Sequence, residues 1–93
     1  MWNAAVDEKT VRRVLRIIAS IPRGTVLSYG EVADRAGLRS ARLVGRILAE
    51  TDDDIPWHRV LRADGSPTPH LAAKQTALLR AEGILFRKGR VVV

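Results

Sequence analysis

Residues 25–49 read TVLSYGEVADRAGLRSARLVGRILA, and this stretch carries the signals that decide the fold. Ser28 stands three residues ahead of Glu31, the spacing at which a hydroxyl and a carboxylate cap the start of a helix reciprocally. A helix is therefore expected from Tyr29 to Ala36, stopped by Gly37. Ser40 is placed to cap a further helix, Ala41 to Ala49, whose apolar residues Leu43, Val44, Ile47 and Leu48 leave Arg42 and Arg46 on another face. Two short helices joined by a tight glycine-containing turn make a helix-turn-helix candidate. The plainer reading of the same pattern is a helical hairpin of any small bundle.

Upstream, Val11, Val14, Leu15, Ile17, Ile18 and Ile21 recur at three- and four-residue spacing, with Arg12, Arg13 and Arg16 on other faces. That spacing predicts an amphipathic helix from Asp7 to Ile21, ended by Pro22 and Gly24, before the short apolar run Thr25-Val26-Leu27. Downstream, the acidic stretch Thr51 to Asp54 suits a loop, and Trp57 to Leu61 reads as a strand or extended segment. A turn is expected at Ala63-Asp64-Gly65-Ser66, then a helix from Leu71 to Glu82 with Gly83 as its stop. Ile84 to Phe86 and Arg90 to Val93 flank Lys88-Gly89 as a terminal hairpin, or wing.

A chain of 93 residues supports one domain with a small core. Its 16 Lys and Arg against 10 Asp and Glu give a net charge of +6, which favours a polyanionic partner over an acidic small molecule. Cysteine is absent, so disulfides, thiolate metal sites and a Cys nucleophile are excluded together. Two His residues without metal-like spacing argue against a zinc site, and neither a metal nor a cofactor is expected. The charged N-terminus has no apolar signal region, and nowhere do eighteen apolar residues run on, so a soluble cytoplasmic protein without membrane contact is expected.

Four ordered blocks go further: Ile21 to Ala33 (IPRGTVLSYGEVA), Ala41 to Gly45 (ARLVG), Ile55 to Leu61 (IPWHRVL) and Ala81-Glu82-Gly83. Together they closely resemble the DNA-binding domain of the O6-alkylguanine-DNA alkyltransferases, and most specifically the alkyltransferase-like proteins, from about Thr10 to Phe86. The resemblance implies a mainly α fold: residues 1–93 as a single winged helix-turn-helix domain with a short terminal β-hairpin, lacking the N-terminal domain that many of the enzymes add. In the repair enzymes the third block reads Pro-Cys-His-Arg, and its Cys accepts the alkyl group. Here Trp57 stands in that place, and an indole offers no nucleophile comparable to a thiolate. The implied activity is therefore non-enzymatic. Such a protein, acting as a monomer, binds O6-alkylguanine in duplex DNA through the minor groove, flips the nucleotide without alkyl transfer and hands it to nucleotide excision repair proteins.

Residue by residue, the resemblance makes Arg42 the finger that fills the space of the flipped nucleotide, though spacing alone reads it as a solvated helix-face Arg. Tyr29 matches the Tyr that presses on the neighbouring phosphate; by position it equally suits a hydrophobic anchor. Trp57 would wall the lesion pocket, whereas an isolated Trp is ordinarily core. His58 and Glu82 correspond to the pair that activates the Cys in the enzymes; with no thiol here, they and Arg59 form a structural network behind the pocket wall. Arg39 and Arg46, with Ser40, flank the recognition helix as phosphate contacts. His70 stands near the place where some family members carry an Arg that stacks on the alkylated base, and is counted with Tyr29, Trp57 and His58 in the pocket. Two rivals compete. One is an alkyltransferase using His58, which a neutral imidazole serves poorly. The other is a sequence-specific winged-helix transcription regulator with helix Ala41 to Ala49 in the major groove.

Overall fold

Asp7 starts the first helix: its side chain accepts a hydrogen bond from the Thr10 amide, and α1 runs from Glu8 to Ala19. In the computed structural model, which describes residues 7–92, Trp2 lies outside the described residues. Val11, Val14 and Ile18 form the buried stripe of α1. The helix stops two residues before Ile21 because the Ser20 and Ile21 amides turn back to Ile17 and Ile18, and because Pro22 disfavours a helical conformation in the residue before it. Ile21 still reaches the core.

Strand β1 (Leu27–Ser28) leads directly into α2 (Tyr29–Arg35), where the Ser28–Glu31 capping box is fully formed. Gly37, at φ +74°, closes α2: its own amide bonds to Asp34 and the next one, of Leu38, to Ala33. Then α3 spans Ala41–Glu50. Ser40 sits at its N-cap position, but its side chain makes no capping bond, contrary to the expectation from sequence. The hydroxyl remains on an exposed corner. Val32 and Ala33 from α2, Ala36 just after it, and Val44 and Ile47 from α3 close over the α1 stripe to form one core.

The segment from Trp57 departs from the strand expected there. Trp57–Arg59 is a 3-10 turn, and only β2 (Val60–Leu61) is extended, pairing in parallel with β1 in the register Leu27 to Val60 and Ser28 to Leu61. The turn is closed by its own backbone, the Arg59 amide bonding to Pro56 and that of Val60 to Trp57, and the Gln75 side chain takes the carbonyls of His58 and Val60. This parallel pair fixes Tyr29, the residue after β1, beside the residues that surround β2.

A second 3-10 turn, Pro69–Leu71, precedes α4 (Ala72–Ala81), so the expected helix over 71–82 begins with a tighter turn. Its buried face is Gln75 and Leu79, four residues apart, while Leu78 is exposed. Strands β3 (Phe86–Arg87) and β4 (Arg90–Val91) form the terminal hairpin. Lys88 and Gly89 both have positive φ, the geometry of a two-residue turn matched to strand twist. No helix among the described residues is long and apolar enough to cross a membrane. The architecture is mainly helical with small strands, as the sequence implied.

Candidate nucleic-acid interface

Tyr29 sits between two depressions. The first, about 140 Å³, is a narrow cleft lined by Tyr29, Gly45, Leu48, Trp57, Thr68 and His70, with Ala49 and Leu71 completing it. Trp57 is only half-buried, so its indole is a wall of this cleft rather than part of the sealed core. Lys74 lies 5.9 Å from the centre of the indole ring, within range of a cation–π contact. The second depression is broader, about 610 Å³, and holds Arg42, Arg46 and Arg62 around Tyr29, Gly30 and Ala63.

These cations differ in their surroundings. Arg42 is exposed in the first turn of α3. Arg46 pairs with Glu50 one turn on, at 3.5 Å, an exposed contact of the kind that contributes little. Arg39, in the turn between α2 and α3, is exposed, as is Ser40. The acidic stretch Asp52 to Asp54 lies just past the C-terminal end of α3, whose last residue, Glu50, is some 12 Å along the axis from Arg42 at a rise of about 1.5 Å per residue.

Behind Trp57 lies a polar network centred on Glu82. Its carboxylate accepts from Arg59 Nη2 at 2.8 Å, from Arg59 Nε, from His58 Nε2 at 2.7 Å and from the Gly24 amide at 2.9 Å. Arg59 spends a further N–H on the Ile21 carbonyl at 2.8 Å. The Arg59 guanidinium holds the Glu82 carboxyl down at about 2, with the Gly24 amide and His58 acting in the same direction against the cost of burial. An ionised carboxylate only accepts, so Nε2 of His58 carries the hydrogen in this contact. Gly24 adopts φ +83°, which a glycine reaches without steric cost, and its amide is thereby aimed at Glu82. Arg23 adds a bond to the Ala81 carbonyl at 2.9 Å. The network thus joins the turn after α1, the Trp57–Arg59 turn and the end of α4.

His58 belongs to this network and does not line the cleft. Its ring meets the Trp57 indole edge-on at 6.0 Å between centres, supporting the wall from the side. The structure therefore brings Tyr29, Trp57 and His70 together around one cleft, places Arg42 and Arg46 around the adjoining depression, and leaves Arg39 and Ser40 outside both linings.

Three residues of this region went unnoticed in the sequence. Gln75, fully buried, donates to the carbonyls of His58 and Val60 and accepts from the Thr68 amide. Its signal was available: Leu71, Gln75 and Leu79 stand four apart, so a polar residue occupies the apolar stripe. Thr68 contacts the Tyr29 hydroxyl across 39 residues of sequence, and nothing local marks it. Arg62 follows β2 and enters the arginine-lined depression only through the parallel pairing of β1 with β2.

Known proteins match this chain in sequence and in fold. Residues 9–84 match the family described as 6-O-methylguanine DNA methyltransferase, DNA binding domain. A DNA base-flipping protein of Escherichia coli is 42% identical over 85 residues, a match that takes in 85% of this chain and 65% of that protein. The chain thus spans about two thirds of that relative's length. Alkyltransferase-like protein 1 of Schizosaccharomyces pombe is 37% identical over 57 residues, covering 58% of this chain and 53% of its own. The solved structure of S. pombe Atl1 in complex with damaged DNA containing O6-carboxymethylguanine superimposes with a TM-score of 0.82 at 26% identity, over 95% of this chain and 91% of that one. With its helix pair, parallel β1–β2 contact and Pro-Trp-His-Arg turn, this chain belongs to the family of 6-O-methylguanine DNA methyltransferase DNA-binding domains.

Proposed function

We propose that this protein binds double-stranded DNA containing O6-alkylguanine, turns the damaged nucleotide into the Trp57 cleft and holds it there without accepting the alkyl group. The observation that carries the reading is the half-buried indole of Trp57 facing a cleft in a chain that contains no cysteine. A flipped purine needs an aromatic or apolar wall, and Trp57 with Leu48 supplies one. The adjoining depression gathers three arginines around the Tyr29 phenol, where phosphates on either side of an extruded nucleotide would lie. Arg42, at the first turn of α3, has the reach to enter the stack from the minor groove and fill the vacated place. His70, at the cleft, takes part in holding the base. Arg39 and Ser40 contact the backbone nearby. Because binding leaves the lesion in place, the bent complex serves as a mark read by nucleotide excision repair proteins.

A titration of matched duplexes carrying guanine or O6-methylguanine tests the reading. Wild type is expected to prefer the lesion. Arg42→Ala is expected to lose about 2 kcal/mol of the compensation for an emptied stack, or roughly 30-fold in affinity for the damaged duplex. Equal binding to damaged and intact duplexes by wild type would sink the proposal, and tight binding to one undamaged sequence would favour a transcription regulator instead. Incubation with DNA labelled on the O6-methyl group must leave the label on the DNA; label on the protein would establish an alkyltransferase.

Arg62→Ala provides a separate check on the depression. Removing one phosphate contact should reduce the slope of log affinity against log salt by about 0.9, equally for damaged and intact duplexes. An unchanged slope would place Arg62 off the DNA.

A further inference from the structure

The Tyr29 hydroxyl lies 2.7 Å from Thr68 Oγ1, and either oxygen can be the donor. Thr68 is held in place for this contact, because its amide donates to Gln75 Oε1 at 2.9 Å. The orientation of the Gln75 amide is itself fixed: Nε2 faces two carbonyl oxygens, of His58 at 3.0 Å and Val60 at 2.7 Å, which only a donor satisfies. A chain of hydrogen bonds therefore runs from the buried face of α4 through Thr68 to the phenol that borders both the cleft and the arginine-lined depression.

A phenol has one proton. If Tyr29 donates it to a phosphate oxygen, which only accepts, it has none left for Thr68. The threonine hydroxyl rotates about its own bond, so the contact survives with its direction reversed, Thr68 now donating to the Tyr29 oxygen. An apolar side chain at position 68 would leave the phenol without this partner in both states. We propose that Thr68 is a positioning residue for Tyr29: its hydroxyl exchanges the roles of acceptor and donor so that the phenol turns its proton to a DNA phosphate without losing its anchor to the cleft wall. The proposal rests on the reading of the cleft and its neighbouring depression as the DNA site. Gln75 completes the device by fixing the backbone from which the Thr68 hydroxyl swings.

The test compares wild type, Thr68→Val, Thr68→Ser, Tyr29→Phe and the Thr68→Val/Tyr29→Phe pair on the matched guanine and O6-methylguanine duplexes. Valine keeps the branched shape and removes the hydroxyl, whereas serine keeps the hydroxyl. Thr68→Val is expected to weaken binding roughly 3- to 10-fold, the worth of one such hydrogen bond. Thr68→Ser should stay within about twofold of wild type, and the double variant should bind no more weakly than Tyr29→Phe alone. Unfolding midpoints confirm that each variant is folded at the assay temperature. The proposal is overturned if Thr68→Val binds as wild type, if serine fails to rescue, or if the two single losses add. Failure of the lesion reading shows separately, as absence of a lesion preference in wild type. In that event the same cycle is read on the undamaged duplex, since a phosphate contact requires no lesion.

Discussion

Glu82→Ala should destabilise the protein by about 3 kcal/mol, because it strands the Arg59 guanidinium in a site from which water is largely excluded. The Glu82 side chain is only 5% exposed and that of Arg59 16%, so solvent cannot readily replace the lost partner. The Gly24 amide and His58 Nε2 lose their acceptor in the same step. For a chain of 93 residues the total stability is on the order of 5–14 kcal/mol, so this single truncation removes a large part of it. The thermal midpoint is expected to fall by roughly 15 °C, measured by circular dichroism. A loss below about 1 kcal/mol would show that the network is solvated and dispensable.

The same carboxylate sets an acid limit. Its pKa is held at about 2 in the folded chain against an ordinary 4.5, so the folded state binds the proton less readily than the unfolded one. The contribution is complete above about 4.5 and drains away as pH falls from there toward 2. Asp7 and Asp64 also lie below the usual carboxylate range, through hydrogen bonds from Thr10 and Ser66, and add to the wild-type acid limb. Subtracting the pH profile of Glu82→Gln isolates Glu82, because glutamine keeps the shape without titrating. Parallel profiles for the two proteins would refute this assignment.

Gln75→Leu is the second large effect. Leucine matches the neighbouring Leu79 in character and would raise the apolar content of α4, which by itself favours folding. Three backbone groups nevertheless lose their partner at once: the carbonyls of His58 and Val60 and the amide of Thr68. The Val60 contact is buried and the other two are partly buried; at about 1–3 kcal/mol for a buried group left unsatisfied, and with water able to relieve the other two in part, a net loss of about 2 kcal/mol is expected. Amide hydrogen exchange gives the specific signature, since the Thr68 amide should lose protection well before the amides of α1. A stabilised Gln75→Leu protein would mean that the apolar gain wins and that the Trp57–Arg59 turn holds itself.

The helices and the terminal hairpin were legible because their signals are local. The Ser28–Glu31 box, the glycine stop at Gly37 and the positive-φ pair Lys88-Gly89 each act within a few residues. Elsewhere the outcome depends on backbone geometry or on distant side chains. The Trp57–Arg59 segment has the composition of a strand, yet it forms a 3-10 turn whose His58 carbonyl is taken by Gln75, 17 residues on. Ser40 has the type and position of a cap, but its backbone leaves the hydroxyl unaligned with the first amides of α3. His58, adjacent to Trp57 in sequence, turns away from the cleft toward Glu82. Arg62 and Thr68 gave no local sign of their surroundings.

The sequence by itself determined the chemistry available to the chain: an indole and no cysteine, a surplus of cations, and the helices that carry them. Such properties follow from residue type and from spacings of one helical turn or less. Tertiary structure alone decided which of those residues share a cleft, because Tyr29 meets Thr68 and Arg62 joins Arg42 around one depression only after β1 pairs with β2 and α4 packs behind the Trp57 turn. Contacts between residues tens of positions apart are set by how whole elements pack, and no spacing within the chain encodes them.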